Sequence, residues 1–286
     1  MALVLVLWVI TLLSVVAASF SLGVRRDAGV AHNLTQAGIA EAAAEAGIRI
    51  AMLGLEHPDP ERRWEVGDPT RYLEWNGIEL EITISAETGR VDINHADEFL
   101  LEGLLTVVGV EDPSARAATI AQILDWRDPS PDRHLNGLSA ADYRRLGYPY
   151  GPANAPFQAT EELLLLPAIG PGLYRRLEPL VTVHSRQSGV NPVHADYPVL
   201  LALPGVDADL AAAWLEQRDQ AREQGLPVPP LATIDVADGG LAMHTVRSVA
   251  TLPSGARAGV RVVMQKGEVR DAEPFRLVHF RPHRKS

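Results

Sequence analysis

The sequence predicts an α+β protein in which a long N-terminal helix packs on an antiparallel sheet and a large all-α domain is inserted between the strands. Three observations predict it: an uncharged apolar start that runs without a break into Ala-rich sequence, strand patterns on both sides of a helical stretch, and an internal repeat confined to that stretch. Period-two alternation marks strands and three-to-four spacing marks helices, so the two kinds of segment separate cleanly.

The start, Met1 to Gly23, carries no charge and is followed by Arg25, Arg26 and Asp27. A helix crossing the ~30 Å hydrocarbon core needs roughly 20 apolar residues, so residues 1–24 read as a membrane span. A cleaved signal peptide has an apolar core of about 7 to 15 residues behind a basic start. Here the core is longer and no Lys or Arg precedes it, so the span is taken as retained. Arg25 and Arg26, taken alone, orient the bulk of the chain toward the cytoplasm. An N-terminal flank of Met1 only suggests a missing basic leader.

Residues 25–56 continue the helix: they are Ala-rich, a good helix composition, with no proline before Pro58. Ile39, Ala43, Ala46, Ile50 and Leu53 form an apolar stripe, and the small residues Gly38, Ala42 and Gly47 offer a surface for close approach of a partner helix. The result is one helix of about 50 residues, ~75 Å long, stopped by His57-Pro58-Asp59-Pro60. Glu61 to Gly77 reads as loop, ending in the hairpin dipeptide Asn76-Gly77. Ile78, Leu80, Ile82 and Ile84 then alternate with polar residues as a half-buried strand, and Thr88-Gly89 turns it into a second strand, Arg90 to Ile93. A β domain of 57–94 and 230–286 follows from these strands and from the later patterns Met243–Thr251, Ala258–Lys266 and Phe275–Phe280. A basic tail, 281–286, closes the chain.

Between them, residues 95–229 read as an inserted domain of short helices of the helix-hairpin, SAM-like kind. Val91-Asp92-Ile93-Asn94-His95-Ala96-Asp97 returns as Val190-Asn191-Pro192-Val193-His194-Ala195-Asp196, each followed by a Leu-rich helix. Leu166-Pro167-Ala168-Ile169-Gly170-Pro171-Gly172 resembles the turn of helix-hairpin-helix modules that bind DNA phosphate, with Arg175 and Arg176 nearby. That supplies an alternative reading, a membrane-anchored DNA-binding protein. Asp207 and Asp209 in the related later unit, the surrounding Glu161, Glu162 and Glu178, and a net charge of −10 all oppose it, because neutralising phosphates dominates nucleic-acid affinity.

The chain has no cysteine, which excludes disulfides, thiolate zinc sites and cysteine nucleophiles. Phosphate-loop, metalloprotease, hydrolase-elbow and dinucleotide motifs are all missing, so an enzyme is not expected. Oxygen ligands in the proline-rich loop Asp125 to Asp142, namely Asp125, Asp128, Asp132 and Asp142, form a candidate calcium site by ligand type. Aspartates at helix ends also act as simple caps.

Several blocks together resemble the K-type minor pseudopilins of type II secretion systems: the apolar start from Ala2 to Phe20, Val91-Asp92-Ile93-Asn94-His95-Ala96, Ile123 to Asp128, Pro152 to Phe157 with Glu161-Glu162-Leu163, and Val190-Asn191-Pro192. The resemblance covers almost the whole chain. It implies a pilin-like helix and sheet with an inserted helical domain, and a basic leader removed by a prepilin peptidase with methylation of the new N-terminus, placing Met1 at or near the processed end. It also reverses the orientation: a single-pass protein of the bacterial inner membrane with its bulk in the periplasm. Major pseudopilins carry a glutamate at position 5, and this chain has Leu5. The family's implied role is to cap the pseudopilus tip together with the I and J minor pseudopilins, next to the major pseudopilin and in reach of secreted substrate, without nucleic acid. Calcium in the inserted domain is implied as well, carried over to the Asp125–Asp142 loop, whose Gly137-Leu138-Ser139-Ala140-Ala141 departs from the family's richer acidic run.

Overall fold

A computed structural model describes residues 2–130, 132–231, 243–267 and 275–282. Met1 and the end of the basic tail, 283–286, lie outside the described residues. Helix α1 runs Ala2–Leu55 and ends where Pro58 and Pro60 deny the next turn its amide donors. The chain then divides into two compact units, one of residues 1–84, 246–263 and 277–286, the other of 85–245 and 264–276.

In the first unit, β1 (Arg71–Trp75) and β2 (Ile78–Ala86) form an antiparallel hairpin with Trp75 opposite Ile78. Asn76 at φ 52° and Gly77 at φ 74° make the turn, left-handed values that match the twist of the flanking strands. β1 falls in the segment expected to be loop. Its sequence has only Leu73 and two aromatics to signal a strand, and it is made one by its partner. In β2 the alternation holds, with Leu80, Ile82 and Ile84 buried.

The second expected strand shrinks to β3 (Val91–Asp92) and does not continue the hairpin. It pairs in parallel with β4 (Val181–Thr182), Val91 opposite Val181. The larger sheet resumes only after the helical domain, with β5 (Met243–Thr251), β6 (Arg257–Lys266) and β7 (Phe275–Pro282), in the order β1-β2-β5-β6-β7. Because β2 and β5 are neighbours in that order, everything between them is an insertion. The second unit starts at Ser85, so the boundary expected at residue 94 falls earlier, and Val91 and Ile93 belong to the helical core.

That unit is built on its repeat. Helices α2 (Glu98–Val107) and α3 (Pro113–Arg127) form one hairpin, and the short α4 (Ala140–Arg145) and α5 (Pro171–Leu177) follow. α6 (Tyr197–Leu201) and α7 (Ala208–Glu223) form the second hairpin, with α2 against α6. The repeated segments are held alike: Arg127 donates to the carbonyl of Ala96 at 2.8 Å, and Arg218 donates to that of the equivalent Ala195, also at 2.8 Å. Asp97 caps α2 by accepting from Leu100 N–H at 2.8 Å, a contact typical of helix starts. Asn94 clamps Phe157 with two hydrogen bonds, 2.7 and 2.9 Å, and Phe157 stacks on Trp126 at 5.8 Å. The motif residues are thus the joints of one core.

Candidate functional site

α1 presents two different surfaces. From its start to Thr35 every described side chain is exposed, and the most apolar stretch of the helix, within Leu5–Leu55, is long and apolar enough to cross a membrane while none of it is buried. A soluble core helix would have its apolar side chains covered. Two of the polar side chains there serve themselves: Thr11 donates to the Leu7 carbonyl at 2.7 Å and Ser14 to that of Ile10 at 2.8 Å, so these two hydroxyls do not need water. Leu5 lies in this segment, 67% exposed.

Burial begins at Ala40. The covered face is Ala40, Ala43, Ala44, Gly47, Ile48, Ala51, Gly54 and Leu55, one to two positions away from the expected stripe at both ends. Ile39 is 44% and Leu53 73% exposed. The sheet selects small residues because it approaches the helix closely: a Cβ on Gly47 would lie 2.1 Å from Ser248 Oγ. Gly47 therefore packs on the protein's own sheet. Gly38 and Ala42 remain exposed, with nothing within 4 Å of the position a Gly38 Cβ would take. Roughly two and a half turns separate Gly38 from Gly47, which puts them on opposite sides of the helix. Of the three small residues, two line a free face and one is used internally.

The acidic loop is arranged around Asp125, which is buried near the end of α3. Its Oδ1 accepts from the backbone N–H of His134 at 2.7 Å and from His134 Nδ1 at 2.8 Å, and its Oδ2 accepts from Leu138 N–H at 3.0 Å. A Cβ on Gly137 would fall 1.8 Å from Oδ2, so only glycine fits beneath the carboxylate. Asp128 accepts from Ser130 N–H at 2.8 Å, an Asx turn closing the helix. Asp142 sits in the capping box of α4, accepting from the amide and hydroxyl of Ser139, with Arg145 in contact and Arg133 at 3.5 Å. The Ser139 hydroxyl and then its amide hold the Asp142 carboxyl below the ordinary carboxylate range, and Arg145 and Arg133 add to the effect. Asp132 is exposed.

The four aspartates therefore do not converge. Among the described residues no group of three or more acidic or histidine side chains is placed to hold a metal ion, and calcium needs six to eight oxygens. The loop's residues do not fit the calcium site expected of them. Two are caps, and Asp125 is a clasp for the chain reversal at 134–138. In the unit related to the Leu166–Gly172 turn, the alternative phosphate site, Asp207 caps α7 by accepting from Leu210 N–H at 2.8 Å, where a phosphate would need that amide.

Sequence reasoning missed Phe99 and Leu135, large apolar side chains left in water on the second unit, because Phe99 adjoins the apolar pair Leu100-Leu101 and Leu135 lies in a turn, where periodicity does not separate exposed from buried. It also missed His194 and His244, whose Nδ1 atoms are buried without a hydrogen-bond partner.

Comparison with known proteins agrees with the fold. The family model for type II secretion system protein K matches residues 83–186. A relative from Klebsiella pneumoniae, type II secretion system protein K, is 29% identical over 225 residues, 72% of this chain and 68% of that protein. Among solved structures, a chain in the GspK–GspI–GspJ complex of the enterotoxigenic Escherichia coli type 2 secretion system superposes with a TM-score of 0.58 at 14% identity, covering 91% of this chain and 99% of that one. These similarities give the DNA-binding alternative no support.

Proposed function

We propose, from the match of residues 83–186 to the family model for type II secretion system protein K, that the chain is a minor pseudopilin that works by assembly and not by catalysis. Its first helical segment lies in the bacterial inner membrane, its bulk is periplasmic, and it joins the I- and J-type minor pseudopilins at the pseudopilus tip. The observation that carries this reading is the two-surfaced α1, bare along its apolar first part and packed on the chain's own sheet only from Ala40. An anchor needs the first part alone. A helix that also leaves Gly38 and Ala42 uncovered on its far side offers a neighbouring helix a place to approach closely, as small residues do at helix interfaces.

The solved relative is named as one member of a three-protein complex, which supports the choice of partners. Co-expression of the full chain with I- and J-type minor pseudopilins tests it. The wild-type chain is expected to co-purify with both, and the Ala42→Trp variant to lose at least about tenfold of the bound partners with an unchanged melting temperature, because Ala42 is exposed in the monomer. Normal recovery of the partners with Ala42→Trp would count against the helix face.

Leu5 fits an end position. A carboxylate in the hydrocarbon core is costly unless paired, and a terminal subunit has no neighbour above it to supply the pair. Leu5→Glu is therefore expected to give no gain in secretion, measured as export of a reporter substrate in a strain lacking the native protein. A clear gain would place the chain within the fibre.

A further inference from the structure

The chain reversal clasped by Asp125 has an exposed apex. Gly137 N–H donates to the His134 carbonyl at 2.9 Å, and Asn136 takes a φ of 68°. The buried carboxylate ties the turn at His134 and Leu138. Leu135, between these ties, is 90% exposed. It is presented by a fixed turn and not by a loose loop.

Leu135 and Phe99, the latter 75% exposed in the first turn of α2, stand at a groove of about 420 Å³ bounded by α2, α3 and this turn, with Ile120 and Leu124 in its wall. Concave apolar sites with anchoring side chains at the mouth are where polypeptides dock. The charges around it are unequal. Arg116 is engaged with the carbonyls of Val110 and Glu111, each at 2.9 Å, and His134 with Asp125. Glu102 forms an ion pair with Arg116 at 3.8 Å, and Glu98 has no ion-pair partner among the described residues. The groove thus combines an apolar wall with one carboxylate, Glu98, that has no ion-pair partner among the described residues.

The geometry points to a docking site on the inserted domain for an extended polypeptide segment that buries an apolar side chain between Phe99 and Leu135 and sets a Lys or Arg against Glu98. An anionic lipid surface would be repelled by the unpaired carboxylate of Glu98. A preformed turn reduces the ordering cost of binding, which gives the Asp125 clasp a purpose beyond stability. This site shares no residue with the exposed face of α1, so it stands or falls independently of tip assembly.

The test uses the full chain in phospholipid nanodiscs and three fluorescein-labelled peptides read by anisotropy, with empty nanodiscs as the baseline. One peptide alternates Lys with Leu and Phe, a second has Glu for each Lys, and a third has Ser for each Leu and Phe. Saturable binding of the first is expected, with the other two at least about tenfold weaker. The Phe99→Ser, Leu135→Ser double variant should lose about tenfold for the first peptide at an unchanged melting temperature, since both side chains are exposed, and Glu98→Lys should favour the acidic peptide. Equal binding of the Lys and Glu peptides, undiminished binding by the double variant, or no saturable binding to the wild type would each overturn the proposal.

Discussion

Replacing Asp125 by alanine is expected to lower the stability of the inserted unit by about 3 kcal/mol, because hydrogen bonds to a charged acceptor contribute about 1.5–3 kcal/mol each. The carboxylate accepts two backbone N–H groups and the His134 ring at 2.7 to 3.0 Å. Water can recover part of the loss, since His134 and Leu138 are only partly buried. Asp125→Asn keeps the shape but turns one oxygen into a donor facing a donor, and should cost about half as much or more. Urea unfolding of the full chain checks both. The same experiment addresses calcium: with four aspartates that do not converge, the wild-type midpoint should be equal in calcium and in chelator. A calcium-dependent rise that Asp125→Ala abolishes would restore Asp125 as an ion ligand.

Acid should destabilise the second unit well before its carboxylates are protonated. Burial, and then the positive charges of Arg222, His244 and Arg218, push His194 down to about 4, and burial with Lys266 lowers His244 against the pull of Glu87. In the unfolded chain a histidine takes its proton near 6.5. As pH falls from about 6.5 to about 4, the unfolded state binds protons that the native state refuses, so stability declines through that window and is level above it. For His194 the full decline is about 3 kcal/mol at most, and His244 adds in the same direction. His194→Gln should flatten the slope between about pH 6.5 and 4. Unfolding midpoints that do not change over this range would show that the imidazole is protonated in place. Asp142, held below the usual carboxylate range, titrates below this window.

Much of the fold was legible because its signals are local. Asn76-Gly77 specifies its own turn, the alternation of β2 needs only its own residues, and Pro58 ends α1 wherever the helix begins. The insertion was also readable, since strand patterns on either side of a helical block belong to one sheet. What escaped depends on distant partners. β3 is a strand only because Val181 lies beside Val91. The face of α1 was assigned by the size of Ile39 and Leu53, whereas the sheet takes Ala40, Gly47 and Ala51, where the backbone can come close. Asp125 carries the chemistry of an ion ligand in sequence, and its acceptor role depends on the amides of His134 and Leu138, which any residue but proline would have supplied. Gly47 was grouped with Gly38 and Ala42 by size alone, and the helical phase separates them.

The central claim is that this chain occupies the end of a pseudopilus and not its shaft. Gold-labelled tags on the inserted domain, imaged on sheared pseudopili from cells in which the tagged chain supports secretion, test that position directly. Label is expected at one end of each fibre and none along its length. Label repeated along the shaft, or fibres free of label while the tagged chain stays in the membrane, would contradict it.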